Sequence, residues 1–377
     1  MRLRHLLMAA AFPAFAAGSA ALAQDELPPC EGCANSMTVV SWGGAYQISQ
    51  QKAYTEPYQQ LTGTTFTWDE SSNEAVAKLR AQFEAGNVTW DLVDVEGPDS
   101  QRLCDEGLAM EIDFDEVLVP GNGGEAPTDD FGDALINECF IPQIVFSTTF
   151  GYRTDIAEWN GEVPTQLCDI FDLEKFPGKR ALEKRPKKNL EWALLCDGVT
   201  KDELYDVLST PEGVDKALAK LGTIKGQTIW WSAGAEAPQL LADKEAVFGS
   251  TYNGRLFSVI EEQKQPVAML WDYEVFDFDG WVVPADLPED RLARVMHFLR
   301  FATDTQRLAD QAAYISYGPA RASSQPLVGQ HAVLGIEMAP HMPTNPENMK
   351  NYLVNNIEWW ADNQDEVEAK FQAWLAQ

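Results

Sequence analysis

The chain has 377 residues, and its 58 acidic and 28 basic side chains give it a formal net charge of −30. This excess of acid argues against a nucleic-acid partner, because such binding depends on Lys and Arg neutralising phosphates. It argues equally against attachment to an anionic membrane surface.

The first residues read MRLRHLLMAAAFPAFAAGSAALAQ, with Arg2 and Arg4 ahead of an apolar, alanine-rich stretch. Ala21-Leu22-Ala23 follows as a small-x-small cleavage site. The pattern predicts a cleaved secretory signal peptide over residues 1–23, whose removal takes the formal charge from −30 to −32. No later segment is apolar enough over a sufficient length to predict a membrane span. About 350 residues remain after cleavage, which suggests two domains.

All six cysteines follow the predicted cleavage site. An even number in an exported protein indicates disulfides, although six cysteines allow many pairings. The predicted bonds join neighbours along the chain: Cys30–Cys33, Cys104–Cys139 and Cys168–Cys196. The stretch CEGC could instead be a redox motif or half of a metal site, but no second CxxC accompanies it.

Strand-like and helical segments alternate in the first part of the mature chain. The predicted strands cover 37–42, 64–70 and 90–97, and the predicted helices cover 47–61, 73–86 and 98–108. Such alternation indicates an α/β protein with a parallel-rich sheet and helices on both faces.

Two longer strand-rich runs, 140–153 and 265–288, are long enough to pass from one domain to another. Between them the sequence predicts helices at 178–199 and 210–222, and then strand, helix and strand over 226–252. An Asn-Gly turn is predicted directly after this last strand. Helices are also predicted at 289–304 and 304–313 and in the polar C-terminal stretch 346–377.

The order and spacing of seven segments resemble the periplasmic solute-binding proteins of ABC importers, specifically the spermidine/putrescine-binding-like family. The segments are VVSWGGAYQ, WDLVDVEGP, DLEKFPGKRAL, DELYDVLSTPEGVDKALAKL, WWSAGAEAPQLLADKEAVF, FDFDGWVVP and AAYISYGPA. The resemblance covers nearly the whole mature chain and depends on all seven together, because no single segment is diagnostic. It implies a two-lobed periplasmic binding protein fold, type II-like, with hinge crossover strands and a ligand between the lobes.

The lobes implied by the resemblance are 38–150 plus 281–340 for lobe 1 and 151–280 for lobe 2, with a C-terminal helical extension at 341–377. The protein is then expected to be a periplasmic monomer that captures a small molecule and delivers it to the permease subunits of an ABC importer. No cofactor, metal or nucleic acid is expected. A receptor partner that binds ligand for signalling would have the same pattern.

The resemblance also implies ligand-binding positions. An aromatic residue that follows the first strand matches Trp42, with Tyr46 as its companion. An acidic residue that grips an ammonium matches Asp279. The strand end of the second lobe matches Tyr252, and the acid expected three residues further on is Arg255 in this chain.

Lys187 and Lys188 also stand where putrescine-binding relatives have an acidic pair, although a solvated helix start is the simpler interpretation of two lysines. An arginine fork recognises a carboxylate, whereas aspartate and aromatic faces recognise an ammonium. The substitution at Arg255 therefore predicts a ligand that has a carboxylate as well as a cationic group. A true putrescine or spermidine binder is the alternative.

Four further residues are candidates for the cleft. Glu96 follows the third predicted strand, Trp231 ends another strand, Ser232 follows it as a candidate helix N-cap, and Tyr317 matches a late cleft tyrosine of the family. Each candidate has a structural explanation too, since aromatic side chains can fill a core and charged ones can form turns or surface ion pairs.

The rival class is an exported enzyme. The sequence contains no GxSxG, HExxH, P-loop or GxGxxG motif in the context that these motifs require. The three histidines of the mature chain, His297, His331 and His341, do not have the spacing of a metal site. A binding protein without catalysis is therefore predicted.

Overall fold

The computed structural model describes residues 27–377, so the predicted signal peptide at 1–23 lies outside the described residues. Over this range the protein is an α/β structure whose ten strands form one mixed sheet. The strands are β1 Ser36–Val40, β2 Thr65–Asp69, β3 Leu92–Glu96, β4 Ile141–Arg153, β5 Arg180–Glu183, β6 Thr228–Trp231, β7 Phe248–Tyr252, β8 Val267–Val282, β9 Gly318–Pro319 and β10 Tyr352–Val354.

Helices cover both halves of the sheet, and none within residues 27–377 is long and apolar enough to cross a membrane. Two π-helical turns, Gln51–Thr55 and Ser258–Glu262, continue α1 and α11. The α-helices are α1 Gly44–Gln50, α2 Glu56–Thr62, α3 Ala75–Glu84, α4 Gly97–Asp105, α5 Phe114–Val117, α6 Pro127–Phe131, α7 Asn189–Leu195, α8 Leu204–Leu208, α9 Pro211–Gly222, α10 Glu236–Ala242, α11 Asn253–Phe257, α12 Glu289–Ala302, α13 Thr305–Ala312 and α14 Ile357–Leu375.

The sheet order is β2-β1-β3-β8-β4-β7-β5-β6. The strands β1, β2 and β3 are parallel to one another, as are β5, β6 and β7. The long strands β4 and β8 lie antiparallel between these two parallel groups and pair from Ile141–Trp281 to Arg153–Val267. They correspond to the two runs that were predicted to cross between domains.

Two hydrophobic regions lie on either side of these central strands. One is formed by residues between Met37 and Phe140 together with residues from Phe278 to Ala320. The other is formed by residues between Phe150 and Val275. The helix α14 adds buried side chains to this second region, including Trp360 and Phe371, so the C-terminal helix packs on the second half of the molecule. The predicted lobe boundaries themselves stay a prediction.

Local signals position several of these helices. In α9, for example, the Thr210 side chain accepts a hydrogen bond from the Gly213 N–H, and Pro211 occupies the first turn. Both are standard features of a helix start, since the cap satisfies a free N–H and proline has none to satisfy.

The prediction of one helix over 178–199 was wrong. Residues Arg180–Glu183 form β5 between β6 and β7, and the helix α7 begins only at Asn189. Pairing on both sides outweighs the helical propensity of this stretch, and Pro186 interrupts any helix through it. The predicted turn at Asn253-Gly254 is also absent, because these residues begin α11.

The six cysteines pair in the structure as predicted from their order. The Cα atoms are 5.6 Å apart in Cys30–Cys33, 5.7 Å in Cys104–Cys139 and 5.3 Å in Cys168–Cys196. The second bond links the end of α4 to the segment that leads into β4, and the third links the loop before β5 to the end of α7.

Candidate ligand-binding site

A cavity lies where the two halves of the molecule meet, with about 280 Å³ of space that is partly open to solvent. Seven of the nine residues predicted to bind ligand line it, together with two apolar residues of β4. The lining residues are Trp42, Tyr46, Glu96, Ile144, Phe146, Tyr252, Arg255, Asp279 and Tyr317. Their role as ligand contacts remains a prediction.

The ends of parallel strands bring these side chains together. Trp42 lies in the turn between β1 and α1, and Tyr46 lies in the first turn of α1. Glu96 is the last residue of β3, and Tyr252 is the last residue of β7. Ligands of open α/β sheets bind beyond the carboxyl ends of strands, which is where these four residues lie.

The glycine pair after Trp42 allows the Arg255 side chain to approach the backbone closely across the cavity. Gly43 and Gly44 have φ values of 66° and 59°, a region that is easily reached only by glycine. A Cβ atom on Gly44 would lie 2.8 Å from Nη1 of Arg255. The Gly-Gly turn therefore makes room for the arginine as well as reversing the chain.

Arg255 faces the cavity and not the surface. It is 7% exposed, and its Nη2 donates to the carbonyl oxygens of Trp42 at 3.3 Å and Gly43 at 3.5 Å. Its guanidinium carbon lies 5.8 Å from the centroid of the Tyr252 ring. Within residues 27–377, Nε has no hydrogen-bond partner and the side chain forms no ion pair with a carboxylate. Arg255 is thus a buried cation with a free donor.

Lys187 and Lys188 are buried, in contrast to the solvated helix start that the sequence suggested. Nζ of Lys187 forms an ion pair with Oε2 of Glu96, and Nζ of Lys188 lies 3.6 Å from Oε1 of the same carboxylate. Burial alone would raise the pKa of Glu96, but the two lysines outweigh it and hold this pKa below its ordinary value. Glu96 is therefore neutralised by the protein itself.

Lys188 adds a second cation next to the cavity. Its Nζ lies 5.2 Å from the ring centroid of Phe146 and 5.6 Å from that of Tyr252, within the range of cation–π attraction. Its backbone φ of 74° is unusual for a residue other than glycine. Arg255 and Lys188 thus place two cations at or next to this cavity.

Asp279 and Asp94 form the acidic part of the site. Asp279 is 5% exposed and lies opposite Glu96 in the pairing of β8 with β3. Burial raises the pKa of Asp279 well above its usual range, and the charge of Asp94 raises it further. Burial also raises the pKa of Asp94 to about 6.

Trp231 and Ser232 do not line the cavity. Trp231 is buried between the sheet and α10, and its indole N–H donates to the Ser250 carbonyl at 3.1 Å. Ser232 is exposed and is not the N-cap of α10, which begins four residues later; its backbone N–H donates to Glu236. Gly234, in the same loop, lies close to Arg255, because a Cβ atom on this glycine would lie 3.0 Å from Nε of Arg255.

Sequence reasoning missed Ile144, Phe146 and Asp94. A signal was present, because alternate residues of a strand point to the same face. Asp94 and Glu96 are two residues apart in an otherwise apolar strand, and Ile144 and Phe146 are two residues apart in the crossing strand β4.

The side chains around the cavity are arranged to bind a small molecule, and the described residues form no evident reaction centre. Aromatic side chains surround a cavity that has an unpaired arginine on one element and a carboxyl pair on two others. Within the described range, no group of three or more His, Cys, Asp or Glu residues is placed to hold a metal ion.

The fold, with a cavity between its two halves, is that of a solute-binding protein. Residues 53–344 match the family described as bacterial extracellular solute-binding protein, and the chain belongs to that family. The class expected from the resemblance is therefore confirmed.

The chain is also similar to particular binding proteins. The gamma-aminobutyric acid-binding protein of Pseudomonas aeruginosa is 35% identical over 342 residues, which cover 90% of this chain and 91% of that protein. Among solved structures, the GABA receptor Atu4243 is 32% identical with a TM-score of 0.75, covering 91% of this chain and 98% of that one. The binding protein MotA from Agrobacterium tumefaciens B6, in complex with glucopine, is 26% identical with a TM-score of 0.78, covering 90% and 99%.

Proposed function

We propose that this protein is the periplasmic substrate-binding component of an ABC importer for a small zwitterionic solute, with γ-aminobutyric acid (GABA) as the first candidate. The observation that carries the proposal is Arg255, a buried arginine in the cavity with a free Nε donor and no carboxylate partner within residues 27–377. A desolvated cation without a partner is costly, and a ligand carboxylate would supply that partner bidentately.

The acidic part of the cavity accounts for the other end of such a ligand. Asp279 lines the cavity beside the aromatic residues Trp42, Tyr46 and Tyr317, and carboxylates and aromatic faces are the groups that recognise an ammonium. Glu96 does not compete for this role, because Lys187 and Lys188 already neutralise it.

The relatives support a small ligand. GABA carries one carboxylate and one ammonium on a short chain. The relatives that are 35% and 32% identical are named for GABA.

A plain diamine fits this cavity less well. Putrescine has a cation at each end, and one of these would meet Arg255 and Lys188, which lies within 5.6 Å of the Tyr252 ring centroid. Like charges in a desolvated site cost several kcal/mol. The polyamine alternative is therefore disfavoured by the same residues that favour a zwitterion.

The proposal includes the partners and the motion expected for such a protein. It acts as a monomer without catalysis, and its two lobes, 38–150 plus 281–340 and 151–280, close on the ligand and present it to permease subunits. Contacts between the halves support closure, since Arg255 reaches the Trp42 carbonyl and Lys187 reaches Glu96. Small-angle scattering should show a smaller radius of gyration with ligand, and an unchanged radius at saturation from an open state would contradict closure.

Calorimetry with four matched small molecules tests the ligand class. GABA should bind most tightly, butyrate should lack the ammonium contact, putrescine should lack the carboxylate contact, and succinate should place a second carboxylate against Asp279. Tight putrescine binding with no detectable GABA binding would reject the proposal. Chemical recovery of the ligand unchanged after incubation checks that the protein is not an enzyme.

A further inference from the structure

Two buried carboxyl groups are neighbours at the cavity. Asp94 pairs with Trp281 and Glu96 pairs with Asp279 across β3 and β8, so the side chains of Asp94 and Asp279 lie diagonally on the same face of the sheet. Asp94 is 0% and Asp279 only 5% exposed. A carboxylate can only accept hydrogen bonds. A hydrogen bond between two carboxyl groups therefore requires that one of them keeps its proton.

The remaining contacts of Asp94 show where that proton lies. Its Oδ2 accepts from the Tyr46 hydroxyl at 3.1 Å, from Gln143 Nε2 at 3.3 Å and from Gln50 Nε2. Its Oδ1 accepts no hydrogen bond from any donor among the described residues, although it is buried. With one oxygen saturated by three donors, the shared proton belongs between the free oxygen of Asp94 and Asp279.

The charges around this pair come from several elements. The nearby acids are Glu96 on β3 and Asp277 on β8. The nearby cations are Lys187 and Lys188, at the start of α7, and Arg255 on α11. The hydroxyls of Tyr46, Tyr54 and Tyr317 face the pair or its neighbours. The lysines are engaged by Glu96. No cation of the described residues forms an ion pair with Asp94 or Asp279. A proton shared by the two carboxyl groups is therefore what removes the repulsion between two negative charges.

We propose that Asp94 and Asp279 share one proton in the ligand-free protein and that the ammonium group of the ligand displaces this proton when it binds. Asp94, which does not line the cavity, is then a positioning residue that selects for a cationic group at Asp279. This inference rests on the proposed function, because it requires a ligand with an ammonium.

The direction of the pH effect follows from the balance of protons. Burial raises the pKa of Asp94 to about 6 and that of Asp279 well above its usual range. An ammonium in contact with Asp279 lowers the pKa of the pair, since a nearby opposite charge favours the ionised form. Binding therefore releases a proton, and affinity for an ammonium ligand rises with pH while the free pair is protonated.

A ligand without the cationic group should behave differently. In 4-hydroxybutanoate a hydroxyl replaces the ammonium of GABA, and a hydroxyl can accept the hydrogen bond of a protonated carboxyl. The pair then keeps its proton in the complex. Affinity for 4-hydroxybutanoate should be flat or should fall as pH rises, in contrast to that for GABA.

Titration calorimetry of the wild-type protein tests this directly. GABA is titrated at pH 7 in two buffers of different ionisation enthalpy, which gives the number of protons released, and again from pH 5.5 to pH 8.5. We expect release of at least about half a proton, and an affinity that rises roughly three- to tenfold between pH 6 and pH 7.5. 4-Hydroxybutanoate should show neither effect.

The variant Asp94→Asn removes the shared proton, because an amide can donate to an ionised Asp279. We expect it to bind GABA with almost no proton release and less than about twofold pH dependence. The control Asp243→Asn, an exposed residue of another helix end, should match wild type. The wild-type pH series decides the question even if Asp94→Asn does not fold.

The outcomes separate the two proposals. GABA binding that is independent of pH and releases no proton would overturn the shared-proton inference and leave the proposed function standing. Equal proton release by wild type and Asp94→Asn would overturn it as well. Tight putrescine binding with no GABA binding at any pH would reject the proposed function, and the inference with it.

Discussion

Replacement of Arg255 by alanine is the sharpest test of the carboxylate end of the site. The side chain is 7% exposed and has no carboxylate partner among residues 27–377, so a bound ligand carboxylate would lose the guanidinium that lines the cavity. Loss of one partner from a desolvated charge pair costs about 2–5 kcal/mol. At about 1.4 kcal/mol per tenfold, Arg255→Ala should weaken GABA binding by roughly 30-fold to several thousandfold.

A conservative variant separates charge from geometry. Arg255→Lys keeps the positive charge but replaces the planar fork with a single ammonium. It also loses the donors that reach the carbonyls of Trp42 and Gly43. We expect Arg255→Lys to retain part of the affinity, with a loss smaller than that of Arg255→Ala but still tenfold or more, at about 1.4 kcal/mol per tenfold.

The assay is calorimetric titration with GABA at pH 7.5, with thermal melts to verify folding of each variant. Arg80→Ala is the matched control, because Arg80 is 41% exposed and pairs with Glu106 on the surface; its affinity should stay within about twofold, since exposed pairs contribute little. If Arg255→Ala folds and binds GABA within threefold of wild type, the carboxylate does not contact Arg255 and the reasoning is refuted.

Three further predictions concern stability and the shape of the cavity. Glu274 is fully buried, and burial raises its pKa to about 8. Its ionisation therefore costs stability as pH rises from about 4 to 8, and Glu274→Gln should gain melting temperature relative to wild type over that range. Replacing Cys104 and Cys139 by alanine opens a link with a sequence separation of 35 residues and should lower the free energy of unfolding by about 4 kcal/mol. Gly234→Ala places a methyl group 3.0 Å from Nε of Arg255 and should weaken GABA binding about threefold or more, by roughly 0.6 kcal/mol at least, with little change in melting temperature.

Each of these has a control and a contradicting result. A Glu274→Gln difference that does not vary with pH would show that Glu274 is already ionised or solvated. Chemical denaturation measures the disulfide variant, and opening Cys30–Cys33, whose sequence separation is only 3, should cost less. For the glycine, Gly226→Ala is matched, because a Cβ atom there would meet nothing within 4 Å; equal GABA affinity in both variants would contradict the predicted clash.

Much of the site could be predicted from local sequence. A short apolar strand followed by Gly43-Gly44 predicts a strand end with a tight turn, and it places Trp42 and Tyr46 at that end. The strand ends before Gly97 and Asn253 do the same for Glu96 and Tyr252. These predictions work because strand direction, side-chain alternation and helix starts depend on neighbours within a few residues.

Local pattern also determined the central strands and the cysteine pairs. The runs that became β4 and β8 are the longest strand-like segments of the chain, with 13 and 16 residues in the structure. Segments of that length exceed the usual strand, which is why a crossing between the two halves could be expected. Bonding between neighbouring cysteines likewise needs only short closures of the chain.

Only the tertiary structure decided which charges meet. From the sequence, the simpler interpretation of Lys187 and Lys188 was a solvated helix start. In the fold, both lysines contact Glu96, which is 91 residues away from Lys187 in the sequence. Asp94 and Asp279 meet because β3 and β8 pair antiparallel. Electrostatic partners are set by packing between distant segments, and burial then determines how strongly they interact.

The same reason explains why Trp231 and the 178–199 segment were misread. A tryptophan at a strand end faces either a cavity or a core according to what packs over it, and here α10 and the sheet cover it. Residues Arg180–Glu183 have helical propensity, but β6 and β7 on either side hold them in the sheet. The sequence by itself determined the class of fold and the strand ends that carry the candidate site, whereas contacts between distant segments decided which side chains enter the cavity and which charges face one another there.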